Sequence, residues 1–379
     1  MVQSIRVGIV GATVTPGGSG FGQHAHIPAL HAAPGVELRA VCTSRPETAR
    51  AAAEAFGAPL AFHDVRAMVA SDEVDLVVVS VRVPWHRELV MAAIEADKPV
   101  FCEWPLGVSA AEAAEMAEAA RGRGLPTMVG LQARSDPTLG YARELIAEGW
   151  LGEVLLANVT AFIPATFERG AGRVWHADPA NGANPLTIPG GHTIDAACFL
   201  LGEFTSVAGR VTTRVPSWRN TETGAEEPVT SPDTVGVVGR LAGGAEVAVQ
   251  VAAVPVNASG TRIEIHGREG SMVITAPKAQ IGPNRLVGAR RGQDPVELVP
   301  PGSPAAGGSL ETLGARARNV AEAYVRIAAA WEAGRAFEPD FDHAVRRHRL
   351  LEAIERSSAE GRTIDLGPDL GPDPDPGAA

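Results

Sequence analysis

Residues 5–30 read IRVGIVGATVTPGGSGFGQHAHIPAL. Residues 5–11 are an apolar strand ending in glycine, and a glycine-rich turn and a helical pattern follow. Strand, glycine turn and helix in that order form a pyrophosphate site, because backbone N–H groups at the turn face the phosphates. Gly11 takes the first position of the dinucleotide fingerprint, beside Ala12. The usual G-x-G-x-x-G is then interrupted by TVTPGGSG before Gly22, so the glycines alone also read as a flexible loop. The context decides for a dinucleotide.

That context is repetition. Strands at 36–42, 74–80, 98–102 and 126–130 alternate with helical patterns at 46–56, 64–70, 85–96 and 109–123. Such alternation predicts a parallel sheet with right-handed crossovers. VDLVVVS (74–80) is continuous and β-branched, as a strand covered on both faces should be. After about residue 135 the pattern changes to strands without helices between them, at 153–162, 205–215, 233–241, 245–254, 260–266 and 271–275. The polar stretch 216–233 reads as a surface loop, and 310–332 and 340–360 as long helices separated by Gly334 and Pro339. The expected fold class is therefore α/β plus α+β. A Rossmann domain over 1–134 precedes an α+β domain over 135–365 with a large, open, mostly antiparallel sheet. The acidic, Pro- and Gly-rich end, 366–379, reads as a disordered tail.

Composition narrows the function. A net charge of -11 argues against a nucleic-acid binder, which needs a basic stripe. No apolar run is long enough to span a membrane and no signal peptide is visible, so the expected place is the cytoplasm. Cys42, Cys102 and Cys198 are odd in number and lack a CxxC, which supports neither a disulfide framework nor a metal site. There is no G-x-S-x-G and no HExxH. Lys98 and Lys278 are the only lysines, which limits the supply of catalytic amines.

The end of the second strand selects the cofactor. An acid there suits the ribose of NAD, whereas a hydroxyl with an arginine suits a 2′-phosphate. Thr43, Ser44 and Arg45 stand at that place, which favours NADP(H) over NAD(H). Arg45 also reads as a solvated residue opening the next helix.

HIPAL (26–30), SVRVPWH (80–86), CEWPLG (102–107), VGLQAR (129–134) and GGHTID (190–195) occur in the order and spacing of one family. The chain resembles the Gfo/Idh/MocA oxidoreductases over about residues 5–365. The resemblance implies a nicotinamide-dependent oxidoreductase acting on a sugar-like, polyol or ketone substrate. It also implies a second-domain sheet that builds a homodimer or homotetramer. With that family's fold, Val83, Pro84, Glu103, Trp104, Pro105 and Gln132 are expected by the cofactor, and His86 reads as packing or a cofactor contact. Trp104, Trp175, His176 and His192 are expected by the substrate, and Arg134 reads as holding the turn or binding substrate.

Two departures stand out. The family carries Glu-Lys-Pro at 103–105, with the lysine taking part in proton transfer; here Trp104 replaces it. The family's D-x-G-x-H-x-x-D has Ile188 in place of its first acid, while His192 and Asp195 remain. An indole N–H donates a hydrogen bond but does not titrate usefully. His192 is then the expected acid/base, with Asp195, three residues on and on the same helix face, as its orienter, although His192 also reads as a structural histidine and Asp195 reads first as structural. The tryptophan variant is similar to a subgroup typified by the yeast galactose-pathway repressor. This leaves a second reading open, a nicotinamide-binding regulatory or sensor protein.

Overall fold

The computed structural model describes residues 4–14, 20–301, 310 and 312–367. The expected tail over 366–379 therefore falls, from residue 368 on, outside the described residues.

The first strands and helices alternate as the sequence predicts. They are β1 (Ile5–Val10), α1 (Ile27–Ala32), β2 (Val36–Cys42), α2 (Pro46–Phe56), β3 (Leu60–Phe62), α3 (Val65–Val69), β4 (Leu76–Val79), α4 (His86–Glu95), β5 (Val100–Glu103), α5 (Ala110–Gly122) and β6 (Thr127–Gly130). The six strands form one parallel sheet in the order β3-β2-β1-β4-β5-β6. Every residue of β4, β5 and β6 is buried, which is why these strands read as continuous apolar runs. A π-helical turn over Gly22–His26 precedes α1, which the sequence did not announce.

The later elements are α6 (Pro137–Ala147), β7 (Val154–Phe162), β8 (Glu168–Arg169), α7 (Gly191–Leu201), β9 (Phe204–Thr212), β10 (Ser217–Asn220), β11 (Glu226–Pro228), β12 (Thr234–Leu241), β13 (Glu246–Ala252), β14 (Gly260–Gly267), β15 (Gly270–Ala276), β16 (Arg285–Arg290) and β17 (Val296–Glu297). They are followed by α8 (Ala315–Glu332), α9 (Phe341–Glu360) and β18 (Ile364–Asp365). A nine-stranded sheet runs β17-β16-β15-β14-β7-β13-β12-β9-β18, antiparallel except where β13 lies parallel to β7. Its strands alternate: in β14, Thr261, Ile263 and Ile265 are buried while Arg262 is exposed. Helix α7 is different, with Gly191–Leu200 buried on every face, the signature of a core helix.

Two expectations need correction. The stretch 216–233 is not simply a loop. It holds β10 and β11, paired with β8 in a small three-stranded sheet. Buried Trp218 anchors β10, and the Asn220 side chain accepts from the Glu222 and Thr223 amides to close the turn.

The domain division also differs. Contacts group Met1–Gln132 with Pro304–Val345, and Ala133–Ser303 with Arg346–Ala379. Helix α8 thus belongs with the first unit, packing on α1 and β2. The reason is visible in its sequence. Val320, Ala323, Tyr324 and Ile327 recur at the spacing of one helical face and are buried in the core with Ile9, Leu30 and Phe101. Among the described residues no helix is long and apolar enough to cross a membrane.

Candidate functional site

In the first unit the turn after β1 is fixed by a close approach. Gly11 has φ +103°, and a Cβ there would lie 2.2 Å from the Ser80 carbonyl at the end of β4. No other residue fits both constraints. Ala12 is fully buried beside it. Residues 15–19, part of the inserted glycine segment, lie outside the described residues.

At the end of β5 the carboxylate of Glu103 lies in a hydrogen-bonded chain. His26 Nε2 is 2.8 Å from Glu103 Oε1, and His26 Nδ1 is 2.7 Å from the Tyr324 hydroxyl. Gln132 Nε2 donates to Glu103 Oε2 at 2.7 Å. All four residues are buried. Gly130 makes room, since a Cβ there would lie 2.7 Å from Glu103 Oε1. A carboxylate only accepts, so it sets the direction of the whole chain. His26 donates through Nε2, Tyr324 donates to His26 Nδ1, and the Gln132 amide turns its nitrogen inward. Gln132 Oε1 is left buried with no hydrogen-bond partner. A buried acceptor without a donor is costly. Burial and the Glu103 charge push the Tyr324 hydroxyl well above its ordinary range, so it stays protonated and donates.

The turn beyond Glu103 carries buried Trp104, joined to Pro105 by a cis peptide. His86, read as packing or a cofactor contact, is buried, with Nδ1 2.9 Å from the Pro105 carbonyl and Nε2 3.2 Å from that of Val81. Burial pushes its pKa down, and the neutral ring has one N–H, which donates to one of the two carbonyls according to its tautomer. His86 ties the 81–85 turn to the 104–105 turn. Val83 is buried and Pro84 exposed in the short 3₁₀ turn just before it.

Thr43, Ser44 and Arg45 follow β2. The Thr43 hydroxyl lies 2.6 Å from that of Thr48, and the exposed Arg45 caps α2 with its guanidinium 3.3 Å from Glu47. An exposed pair of this kind contributes little and leaves the arginine available.

The second unit carries the proton-handling candidates on α7. His192 is buried, its Nδ1 has no hydrogen-bond partner, and burial pushes it down to about 4. Asp195 raises it and Lys278 lowers it by smaller amounts. The imidazole is therefore neutral at ordinary pH.

Asp195 does not hold that nitrogen. Its carboxylate is gripped by Arg134, from Nε at 2.9 Å and Nη2 at 3.0 Å, and by Arg347 Nε at 3.1 Å. Arg347 also grips Glu203 at 2.8 and 3.1 Å and reaches Cys198 Sγ at 3.1 Å. Burial pushes the Cys198 thiol well up, so it is no thiolate. Asp195 thus acts on His192 through its field. Arg134, read as holding the turn or binding substrate, donates to Asp195 and lies over the Phe199 ring.

Half-buried Trp175 and His176 pack ring to ring at 4.0 Å, with His176 Nδ1 2.9 Å from the Ala183 carbonyl. Sequence reasoning missed Tyr324, His26, Arg347 and Glu203 as members of these networks. His26 lies inside the quoted HIPAL, and Tyr324 on a helical stripe that could have been read. Nothing local marks Arg347 or Glu203.

A parallel sheet in the order β3-β2-β1-β4-β5-β6 with a glycine-forced turn after β1 is the frame of a dinucleotide-binding domain. Residues 5–131 match the family model "Oxidoreductase family, NAD-binding Rossmann fold", and residues 137–276 match "Gal80p, C-terminal domain". Dehydrogenase aclE of Aspergillus oryzae is 34% identical over 381 residues, covering 96% of this chain and 98% of its own. Levoglucosan dehydrogenase of Pseudarthrobacter phenanthrenivorans is 30% identical, covering 72% and 74%. A solved levoglucosan dehydrogenase in complex with NADH and L-sorbose superposes with a TM-score of 0.82 at 25% identity, covering 96% and 99%. The chain belongs to the Gfo/Idh/MocA oxidoreductase family, and its first unit is a nicotinamide-nucleotide-binding Rossmann domain.

Proposed function

We propose that this protein oxidises a secondary alcohol on a sugar-like or polyol substrate, or reduces the matching ketone, with NADP(H) preferred over NAD(H). When bound, the nicotinamide supplies the hydride acceptor or donor. Gly11, Ala12 and Gly22 line the pyrophosphate turn. Gln132 Oε1 accepts from the carboxamide N–H, held in that orientation by Glu103 and His26. Val83, Pro84, Trp104 and Pro105 shape the wall beside the ring. Thr43, Ser44 and the exposed Arg45 take the 2′-phosphate.

The observation that carries the activity is His192, a buried imidazole with an unpartnered Nδ1 and a pKa of about 4. The neutral imidazole has a lone pair free for the hydroxyl proton, and its low pKa makes it a weak base at neutral pH. Trp175 and His176 line the substrate side. The substrate is a small molecule. The chain pairs with itself through the outward face of the nine-stranded sheet, where Leu156 and Val238 are exposed. Three buried free cysteines suit a reducing cytoplasm.

The test is turnover of polyols and sugars with NADP⁺ and NAD⁺, followed by the absorbance of the reduced cofactor. His192→Ala should abolish turnover and leave NADPH affinity nearly intact; unchanged turnover overturns the assignment. Arg45→Ala should weaken NADPH binding about tenfold and NADH binding little. Equal effects on both cofactors would remove the NADP preference.

A second reading rests on Trp104, which fills the place of the family's amine and is buried. A regulatory protein would bind NADPH and turn nothing over, with chemistry appearing only in Trp104→Lys. Turnover by the wild type rejects it.

A further inference from the structure

The second unit holds a cation that nothing in the described chain answers. Arg169, at the end of β8, lies over the Trp218 ring with its guanidinium carbon 4.3 Å from the ring centroid. Its Nε is buried without a hydrogen-bond partner, and Nη2 reaches Thr166 Oγ1 at a long 3.4 Å. The same Nε/Nη2 edge does a definite job elsewhere in the molecule. In Arg6 it grips Asp75 at 2.9 and 2.7 Å, and in Arg134 it grips Asp195 at 2.9 and 3.0 Å. Burial, helped by the neighbouring charge of Arg173, pushes Arg169 down to about 10, the mark of a cation without a counter-charge.

Arg169 lines a small cavity with Thr166, Pro185, Val215, Trp218 and Asp233. Asp233 is the one acid on its wall and is already satisfied. It accepts from the Arg214 amide at 2.8 Å, the Val215 amide at 2.7 Å and Thr234 Oγ1 at 3.0 Å. An arginine stacked on an aromatic face keeps its edge in a fixed plane, and a planar anion matches that edge with two parallel hydrogen bonds. The cavity, about 20 Å³, admits a carboxylate head, and its open side leaves an organic body to extend outward along mostly apolar walls.

We propose that this cavity is a binding site for a small organic carboxylate, whose oxygens lie along the Nε/Nη2 edge of Arg169 and displace the Thr166 hydroxyl. The site lies within the second unit and does not depend on the cofactor reading.

The experiment is calorimetry and thermal shift on the full chain with acetate, benzoate and glucuronate. Each is set against its neutral counterpart, acetamide, benzamide and glucose, with inorganic phosphate as a further arm. At least one carboxylate should bind saturably where its counterpart does not. Arg169→Met should weaken it at least about tenfold, and Arg169→Lys should also lose affinity, because an ammonium keeps the charge without the edge. Thr166→Val, which leaves the guanidinium in place, should bind as well as the wild type or better, and guards against a variant that fails to fold.

Three results overturn the proposal: no saturable binding by any carboxylate in the millimolar range, equal binding of a neutral counterpart, or Arg169→Met binding like the wild type. Phosphate binding as tightly as the best carboxylate would overturn the carboxylate assignment. NADPH titrations on the same proteins separate the outcomes. Loss of carboxylate binding with NADPH binding intact touches this site alone. A wild type that ignores NADPH but binds the carboxylate fails the proposed function and leaves this one standing.

Discussion

Two buried polar networks, one in each unit, are built to opposite plans. Tyr324, His26, Glu103 and Gln132 form a directed chain with a single carboxylate, and it ends in an acceptor with nothing on it. Arg134, Asp195, Arg347 and Glu203 form a cluster of two cations and two anions, with each acid gripped by a guanidinium. The first network is open at one end, at Gln132 Oε1. The second closes on itself and acts as scaffold; the group left open near it is His192, one helical turn from Asp195 on α7. Burial alone does not separate site from scaffold.

The comparison breaks hardest at Arg347. Arg347→Met would leave Glu203 buried without its cation and Asp195 with one guanidinium in place of two. Removing one partner from a buried ion network typically costs about 3–5 kcal/mol, because the stranded charge stays in the core. The expected result is a large drop in the urea midpoint. Replacing Arg347 and Glu203 together by apolar residues should recover much of it, since no charge is then stranded. A single variant as stable as the wild type would show that the cluster is not closed as described.

His192 gives the next largest effect, and it is a pH dependence. Its folded-state pKa is about 4, below its ordinary 6.5. Between these values the unfolded chain takes up a proton that the folded one refuses. Stability contributed by the neutral imidazole is therefore fully present above pH 6.5, falls as pH drops toward 4, and levels off below. A shift of that size corresponds to about 3 kcal/mol. Urea midpoints of the wild type and His192→Gln, compared across pH 4–7, should converge at the acid end by that amount. Parallel curves would mean that His192 titrates normally. Asp195 and Lys278 face the ring with opposite signs, so their fields partly offset and burial dominates.

The parallel sheet was legible because its signal is local. A strand such as β4, buried on both faces over 76–79, is apolar throughout, and Gly11 is required by its positive φ and its approach to the Ser80 carbonyl. The sites were legible as positions: Glu103, Gln132, His192 and Asp195 all lie in quoted motifs. Their roles were not, because a role depends on which partner arrives. Asp195 reads as an orienter of His192 until two arginines take its carboxylate, one of them 152 positions away. His86 reads as packing or a cofactor contact until its buried ring is found against the Pro105 and Val81 carbonyls. The placement of α8 was lost for a related reason. Its apolar stripe says that one face is buried and says nothing about which sheet it covers.

The smallest effect tests how far the open chain transmits. Tyr324 touches neither Glu103 nor Gln132, and it acts on them through His26. Tyr324→Phe keeps the ring in the core beside Phe101 and removes only the hydroxyl that His26 Nδ1 accepts from. An acceptor stranded in this way costs about 1–2 kcal/mol, a modest fall in the urea midpoint. The sharper readout is cofactor affinity. With no donor on Nδ1, the imidazole can place its proton on either nitrogen. In the tautomer that puts the proton on Nδ1, His26 no longer donates to Glu103 and the carboxylate loses one of its two holders. The Gln132 amide is then less firmly oriented. NADPH binding should weaken severalfold in Tyr324→Phe and more in Gln132→Leu, while Arg347→Met in the other unit leaves it unchanged in whatever fraction stays folded. If Tyr324→Phe lowers stability and leaves NADPH affinity untouched, the chain is a packing device, and the orientation of Gln132 is set by its contact with Glu103 alone.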